Sequence, residues 1–211
     1  MKIGIIGAGN IGGTAAKLFS QAGHEIAIAN SRGPETLEGF VKEIGKNAMA
    51  VTAEEAIDFG EIVFISIPFG KYKELPHEGF AGKIVIDSNN YYPERDGSYE
   101  EIEENKTTSS ELLAEHLKEA RVIKAFNTIW FEHLKTQGDK DLPHEERRVI
   151  FYCGNDKEAK NKVADLIEEI GFGAYDTGNL SEGGKTQAVG SGIYNRDLTV
   201  AEVETVLQAG Y

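Results

Sequence analysis

One glycine-rich motif constrains the fold of this chain more than any other feature of its sequence. Gly7, Gly9 and Gly12 have the spacing Gly-x-Gly-x-x-Gly. The apolar run of residues 2–6 before them predicts a buried strand, and residues 11–22 after them have the 3.6-residue periodicity of an amphipathic helix. A strand, a tight glycine turn and a helix in this order are typical of the first unit of a dinucleotide-binding fold.

Each glycine of the motif has a separate physical task. The first allows a tight turn, the second lets the backbone approach a diphosphate, and the third lets the helix pack close to the strand. The unpaired N–H groups at the start of the helix, together with its dipole, favour an anion. A glycine-rich turn without a ligand is the plainer alternative. The residues predicted to form a phosphate site are Gly7, Ala8, Gly9, Asn10, Ile11 and Gly12.

The residues after the second predicted strand, 25–29, bear on which dinucleotide binds. NAD-binding proteins usually carry an acidic residue here, which bonds the ribose 2′-hydroxyl. This chain has Asn30, Ser31 and Arg32 instead. No carboxylate is present to repel a 2′-phosphate, and the Arg32 guanidinium can pair with phosphate oxygens. The sequence therefore predicts NADP(H) as the cofactor, and the alternative is that Arg32 is a solvated turn residue.

Short apolar runs alternate with amphipathic stretches along most of the chain. Such alternation predicts an α/β fold with a doubly wound, mostly parallel sheet, known as the Rossmann fold. We expect a single domain over residues 1–211, in which a C-terminal strand–helix extension prolongs the sheet. The predicted strands are 2–6, 25–29, 48–51, 61–67, 83–87, 121–126, 149–153 and 172–175. The predicted helices are 11–22, 34–44, 53–59 (capped by Thr52), 109–119, 156–170 and 200–208.

Two segments show no regular pattern. Residues 89–108 are long and polar, and such stretches are often functional; we expect this segment to close over the cofactor. Residues 178–197 are rich in glycine. The second segment begins an irregular extension, residues 178–211, that ends in a short helix.

Ligands of open α/β sheets bind beyond the carboxyl ends of the strands. Three predicted strand ends carry small, amide-bearing or aromatic residues, which together suit a planar nicotinamide and a planar partner. Any single aromatic among them is at least as well explained as part of the core. The residues expected at this site are Ile67, Pro68, Phe69, Asn89, Ala125 and Asn127.

No pair of residues has the pattern of a nucleophile and its base, so no catalytic residue is assigned. The five histidines are scattered along the chain, and no cluster has the spacing of metal ligands. Cys153 lies in an apolar run and is expected in the core.

Composition excludes several classes of partner. Lys and Arg number 22 against 35 Asp and Glu, a formal charge of −13, which disfavours nucleic acids and anionic membranes. The single cysteine cannot form an internal disulfide, which fits a reducing compartment. No apolar run is long enough for a membrane span or a signal peptide. We therefore expect a cytoplasmic protein that has neither a nucleic acid nor a membrane as its partner. The composition leaves a homodimer open, and the expected partner is a small-molecule redox acceptor, which the motifs rather than the composition indicate.

These features resemble the family of NADPH-dependent reductases of the deazaflavin coenzyme F420, over roughly the first 180 residues. The resemblance implies that residues 8–11, Ser31 and Arg32 hold the dinucleotide and that Ile67, Pro68 and Ala125 lie near the nicotinamide. The segments that carry it are residues 7–12, 30–34, 84–87, 122–128 and 175–178.

The chain departs from the best-known members of that family in two places. It has the glycine-rich segment and a polar last helix where those members have an apolar helix. Residues 89–97 are similar to those of a bacterial branch. The cytosolic domains of six-transmembrane ferric reductases are also similar, which adds flavin to F420 as a candidate acceptor.

Three functions are compatible with the sequence. The first is an NADPH-dependent oxidoreductase that passes hydride to a flat acceptor such as F420 or a flavin. The second is a non-catalytic NADP-binding sensor or subunit. The third is a hydroxyacid or pyrroline dehydrogenase. It ranks last because such enzymes need a helical C-terminal domain with acid–base residues, and this sequence shows no obvious substitute for one.

Overall fold

A computed structural model describes residues 1–208, in which one eight-stranded sheet is covered by helices on both faces. The strand order is β3-β2-β1-β4-β5-β6-β7-β8. Strands β1 to β6 run parallel, β7 runs antiparallel to β6, and β8 runs parallel to β7. The strands are Lys2–Ile6 (β1), Glu25–Ala29 (β2), Ala48–Ala50 (β3), Ile62–Ile65 (β4), Ile84–Asp87 (β5), Arg121–Ala125 (β6), Val149–Gly154 (β7) and Gly173–Asp176 (β8).

This architecture confirms the predicted α/β class and the mostly parallel sheet. All eight predicted strands form, and the last two extend the same sheet, as expected. The bounds of β1 and β2 match the prediction, and those of the other six strands differ from it by one or two residues at one end or both. The α-helices are Asn10–Gln21 (α1), Glu38–Ile44 (α2), Ala53–Phe59 (α3), Pro93–Asp96 (α4), Glu100–Glu103 (α5), Ser109–His116 (α6), Phe131–Thr136 (α7), Lys157–Glu169 (α8), Leu180–Thr186 (α9) and Val200–Gln208 (α10).

The sheet is apolar on both faces, as a doubly wound sheet requires. On one face α1 and α8 pack over a core that includes Phe19, Phe64 and Phe126, whose rings meet edge to face with centroids 5.3–6.0 Å apart. On the other face α3, α6 and α9 cover Val63, Val85 and their neighbours. Burying each large apolar side chain stabilises the fold by about 1.5–3 kcal/mol.

Local sequence explains where several helices begin. Thr52 caps α3 and Thr108 caps α6, each in a reciprocal capping box with the glutamate three residues on. Asp156 caps α8, and its carboxylate accepts a hydrogen bond from the Ala159 amide at 2.7 Å. The predicted helix over residues 34–44 divides into a 3₁₀ turn, Pro34–Leu37, followed by α2.

The glycine-rich segment is more regular than its composition suggests, because it contains α9. The Asn179 side chain caps this helix by accepting a bond from the Glu182 amide at 2.8 Å. A Cβ on Gly183 would lie 2.4 Å from Cys153 Cβ, and one on Gly184 would lie 3.0 Å from a Thr108 methyl carbon. The prediction of an irregular 178–197 segment is therefore wrong here, since these glycines serve close helix packing. Residues 209–211 of the predicted extension lie outside the described part of the chain.

The 89–108 segment is likewise ordered by its own contacts and contains α4 and α5. The Tyr91 hydroxyl lies within hydrogen-bond distance of a Glu103 carboxylate oxygen at 2.6 Å and of the Gly97 carbonyl at 3.0 Å, and it accepts from the Tyr99 amide. The prediction of a structureless stretch is corrected to two short helices tied together by one tyrosine.

Candidate functional site

The glycine loop has the geometry that its sequence predicts. Gly7 has φ +106°, which few residues other than glycine adopt, and a Cβ there would lie 2.0 Å from the Ser66 carbonyl oxygen. A Cβ on Gly12 would lie 2.0 Å from the Gly7 carbonyl oxygen. A Cβ on Gly9 would meet no atom within 4 Å. The first and third glycines therefore serve the fold, whereas the space at Gly9 is open.

Helix α1 begins beside that open space without a side-chain cap. Its N-cap residue is Gly9, and no side chain accepts a hydrogen bond from the first N–H groups. Uncapped N–H groups together with the helix dipole favour an anion at this end.

A cavity of about 600 Å³ extends from the glycine loop past the end of β2. We call it the loop cavity. Asn30 Oδ1 accepts a hydrogen bond from the Arg32 amide at 2.9 Å, which fixes the turn that presents Ser31 and Arg32. Among the described residues, the Arg32 guanidinium has no hydrogen-bond or ion-pair partner. The lining residues are Ile6, Gly7, Ala8, Gly9, Ala29, Asn30, Ser31, Arg32, Ala53, Ser66, Ile67, Pro68, Lys71, Glu74 and Leu75.

A second cavity of about 490 Å³ lies beyond the ends of β4, β5 and β6. We call it the strand-end crevice. Ser66, Ile67 and Pro68 line both cavities, so the two form one continuous surface. The lining residues are Asn10, Ile11, Ser66, Ile67, Pro68, Ser88, Asn89, Asn90, Tyr92, Arg95, Phe126, Asn127, Ile129, Trp130, Phe131, Tyr194 and Asn195.

The chain leaves β6 through an unusual backbone conformation. Phe126 has φ +65°, a left-handed conformation that costs a residue with a side chain about 1–2 kcal/mol. Its ring stays in the core, while the turn brings Asn127 to the wall of the crevice. Such strain clusters at functional sites because the surrounding structure must enforce it.

A buried lysine holds the end of β5 in place. Lys124 is 2% exposed, and its Nζ donates to the Asn89 carbonyl and the Ser110 hydroxyl, both at 3.1 Å. Asp87 completes the network, with an oxygen 2.6 Å from the Ser110 hydroxyl and 3.8 Å from Lys124 Nζ. In the sequence, the apolar neighbours of Lys124 in β6 did not show which residues would pair with it. A charge inside a buried strand nevertheless requires a partner.

Two amide side chains in the crevice each have one unsatisfied atom. Asn89 Oδ1 accepts from the Ile67 amide at 2.8 Å, which leaves Asn89 Nδ2 buried without a partner. Asn127 Nδ2 donates to Asn90 Oδ1 and to the Gln187 carbonyl, which leaves Asn127 Oδ1 buried without a partner. One free donor and one free acceptor therefore lie in the walls of the same crevice. Leaving such groups unpaired costs about 1–3 kcal/mol each.

Most of the predicted site residues line one of the two cavities. Three do not. The Phe69 side chain is fully buried and stacks on Tyr72 with ring centroids 4.8 Å apart, so the expected contact through its ring is corrected to a core position. Ala125 is fully buried within β6, and Gly12 lies under the loop.

Sequence reasoning did not single out several residues that line the site. Trp130, the only tryptophan in the chain, is 49% exposed at the crevice. Tyr194 reaches the crevice from the glycine-rich segment, and Lys71 reaches the loop cavity from a 3₁₀ turn. A tryptophan shortly after a predicted strand end could have been identified from the sequence. Tyr194, in contrast, lies near the crevice only because of the fold.

The histidines remain outside both cavities. His24 bonds Glu169 at 2.7 Å, and His77 lies against His116 with ring centroids 4.1 Å apart. The fold thus brings together two histidines that are 39 residues apart in the sequence. Within residues 1–208, no group of three or more His, Cys, Asp or Glu side chains could hold a metal ion. No helix in the same range is long and apolar enough to cross a membrane.

Cys153 lies in the core, as predicted, and is fully buried. Burial raises the pKa of its thiol to about 12, so the thiol stays protonated at neutral and mildly alkaline pH. Because the thiolate is the reactive form, we expect no reaction with Ellman's reagent in the native protein and one equivalent released in concentrated guanidinium chloride. Rapid labelling of the native protein would contradict this placement.

The glycine loop and the parallel strand ends together define a dinucleotide-binding protein of the Rossmann class. A family model described as "NADP oxidoreductase coenzyme F420-dependent" matches residues 2–91. Over these residues the chain is similar to coenzyme F420-dependent NADP oxidoreductases.

Three known proteins are similar to most of this chain. A solved structure of a hypothetical protein, SMa0349, from Sinorhizobium meliloti is 30% identical with a TM-score of 0.82, and the match covers 94% of this chain and 95% of that one. The F420-dependent NADP reductase of Methanocaldococcus jannaschii is 28% identical, over 90% of this chain and 89% of its own. The rat metalloreductase STEAP3 is 26% identical over 89% of this chain. The chain spans about a third of the length of the metalloreductases that it matches, 34–36%.

Proposed function

We infer that this chain is an NADPH-dependent oxidoreductase that transfers hydride between NADP(H) and a flat acceptor, such as coenzyme F420 or a flavin. One observation carries the inference. The loop cavity and the strand-end crevice share Ser66, Ile67 and Pro68, so a dinucleotide that starts at the glycine loop ends in a crevice with room for a second ring. Ligands of open α/β sheets bind at this edge.

The loop cavity suits the phosphate-bearing half of NADP(H). The open space at Gly9 and the uncapped start of α1 would receive the diphosphate. Ser31 and the unpartnered Arg32 guanidinium would hold the 2′-phosphate. Lys71 lines the same cavity, although it is paired with Glu74 at 2.6 Å. A chain with a net charge of −13 needs such local donors, because its overall field repels phosphates.

The crevice suits the nicotinamide half. A carboxamide carries one acceptor oxygen and one donor nitrogen, which complement the unpaired Asn89 Nδ2 and Asn127 Oδ1. We assign these two side chains to the nicotinamide carboxamide. The Lys124 network and the Ile67 amide hold Asn89, so its geometry is set before the ligand binds.

Replacing Asn89 by aspartate tests this assignment. Aspartate keeps the oxygen that accepts from the Ile67 amide but replaces the free donor with an acceptor. We expect NADPH to bind about tenfold more weakly, because a hydrogen bond in the buried crevice is lost. The affinity for 2′-phospho-ADP-ribose, which lacks the nicotinamide, should not change. Equal weakening of both ligands in calorimetric titrations would assign Asn89 to the scaffold instead.

The rest of the crevice suits a planar acceptor. Trp130 is half exposed beside Phe131 and offers an apolar surface on which a second ring can stack. Hydride transfer between stacked rings depends chiefly on alignment, with reacting atoms about 3–3.5 Å apart. The nicotinamide supplies the hydride, and the protein supplies orientation and exclusion of water.

Stopped-flow oxidation of NADPH with F420, riboflavin and FMN as acceptors tests the proposed activity. Saturable oxidation that needs the protein would support it. Tight NADPH binding without oxidation by any of these acceptors would instead favour a non-catalytic NADP-binding sensor or subunit.

A further inference from the structure

Two tyrosine hydroxyls meet in the strand-end crevice. Tyr92 belongs to the 89–108 segment and Tyr194 to the glycine-rich segment, 102 residues further on, and their hydroxyl oxygens are 2.5 Å apart. Both side chains line the crevice together with Asn127 and Trp130. Two segments that are far apart in the sequence therefore meet in one short O–H···O contact at the place where we put the acceptor.

Only one of the two protons can lie between the oxygens. Burial and a hydrogen bond donated to Tyr92 raise the pKa of the Tyr194 hydroxyl. When the Tyr194 hydroxyl donates the hydrogen bond, the Tyr92 oxygen accepts it, and the Tyr92 hydroxyl proton takes no part in the contact. Tyr92 can then donate that proton to a ligand in the crevice.

A cation lies against the ring of the same tyrosine. The Arg95 guanidinium carbon is 4.8 Å from the centroid of the Tyr92 ring. Arg95 also donates to the Asn90 carbonyl at 2.6 Å and pairs with the buried Asp96 carboxylate at 2.8 Å. The hydrogen bond to Asp96 raises the pKa of Arg95, so the guanidinium stays charged. A fixed positive charge over the ring stabilises negative charge on that phenol oxygen.

On the basis of the proposed oxidoreductase function, we propose that Tyr92 is a catalytic proton donor, with Tyr194 and Arg95 as its positioning residues. The acceptor is then a conjugated heterocycle that takes hydride at one ring atom and a proton at a nitrogen or oxygen conjugated with it. A planar acceptor that stays anionic after reduction would not need this pair.

In the direction of NADPH oxidation, the hydride and the proton reach the acceptor from different groups. The C4–H bond of the dihydronicotinamide breaks, its electron pair forms the new bond to hydrogen on the acceptor, and the acceptor is reduced by two electrons. Tyr92 gives its proton to the conjugated nitrogen or oxygen, where the displaced π electrons come to rest. Tyr194 returns a proton to the Tyr92 phenolate along the short contact. Water then reprotonates Tyr194 when the product leaves.

The test uses the full chain, NADPH and the acceptor that is active in the stopped-flow panel. Tyr92→Phe and Tyr194→Phe keep both rings but remove one hydroxyl each. The matched control is Tyr99→Phe, since Tyr99 lies in the same segment but lines neither cavity. Single-turnover rates are measured in H₂O and D₂O. Acceptor binding to the NADP⁺ complex is followed separately through the fluorescence of Trp130, and thermal melting checks folding.

We expect Tyr92→Phe to slow the single turnover about 100-fold, at the lower end of what a general acid contributes. Tyr194→Phe should slow it less, and Tyr99→Phe should not. The wild type should be slower in D₂O, and this isotope effect should disappear in Tyr92→Phe, while the dissociation constants of NADPH and acceptor stay unchanged.

Three results would overturn the proposal. An unchanged rate in Tyr92→Phe would show that no proton comes from this pair. A slower rate with equally weakened acceptor binding and an intact isotope effect would show that the pair only shapes the crevice. If wild-type protein binds NADPH but no acceptor oxidises it, the oxidoreductase function itself fails, and the tyrosine proposal fails with it.

Discussion

Replacing Gly9 by alanine should abolish most NADPH binding and leave the fold intact. The added methyl meets no protein atom within 4 Å, and the φ of −76° at this N-cap position is one that alanine adopts freely. In the complex, that methyl would occupy the space through which the diphosphate approaches the backbone. We expect at least about 100-fold weaker binding, roughly 3 kcal/mol, from steric overlap and a lost charge-assisted hydrogen bond.

Calorimetry gives the affinity in this experiment, and thermal melting reports the fold. The melting temperature should move by less than about 4 °C. Gly39→Ala is the matched control, because a Cβ there also meets nothing within 4 Å but lies on α2, outside both cavities. Undiminished affinity in Gly9→Ala would show that no diphosphate rests on this loop.

Replacing Arg32 by alanine should weaken NADPH binding by about 1–3 kcal/mol, which is roughly 5- to 150-fold, and leave NADH binding nearly unchanged. The guanidinium has no partner among the described residues, so its removal should break no internal contact. Arg32→Lys should recover only part of the loss, because an ammonium keeps the charge but lacks the planar fork. Fluorescence titrations of the three proteins with both cofactors measure these differences.

Two outcomes would refute the role of Arg32. If NADPH and NADH weaken equally, the arginine supports the loop and does not read the 2′-phosphate. If neither weakens, the residue is a solvated turn residue. Raising the ionic strength should also reduce the preference for NADPH, because an exposed charge pair is screened by salt.

The sequence predicted best those parts of the protein that depend on local pattern. The glycine loop and the alternation of apolar runs define their own geometry, so the class of fold and all eight strands could be predicted. The Thr52 cap was found in the same way, since a capping box spans only three residues. Strand ends were less certain, because the last residues of a strand belong to the sheet only if a neighbour bonds them.

The parts that were missed depend on contacts between distant residues. Lys124 sits in an apolar strand, and only the fold shows that Asp87 and Ser110 satisfy it. In the sequence, the glycines of α9 suggested an irregular segment. In the structure, they allow the helix to pack closely against Cys153 and Thr108. No local sequence pattern predicts the contact between Tyr92 and Tyr194.

The central claim is that this chain holds NADP(H) with its diphosphate on the glycine loop and its 2′-phosphate on Arg32. Isothermal titration of the purified chain with NADPH, and then with NADH, tests it most directly. We predict one site per chain that binds NADPH at least about tenfold, or 1.4 kcal/mol, more tightly than NADH. No measurable heat with NADPH, or equal affinity for the two cofactors, would contradict the claim.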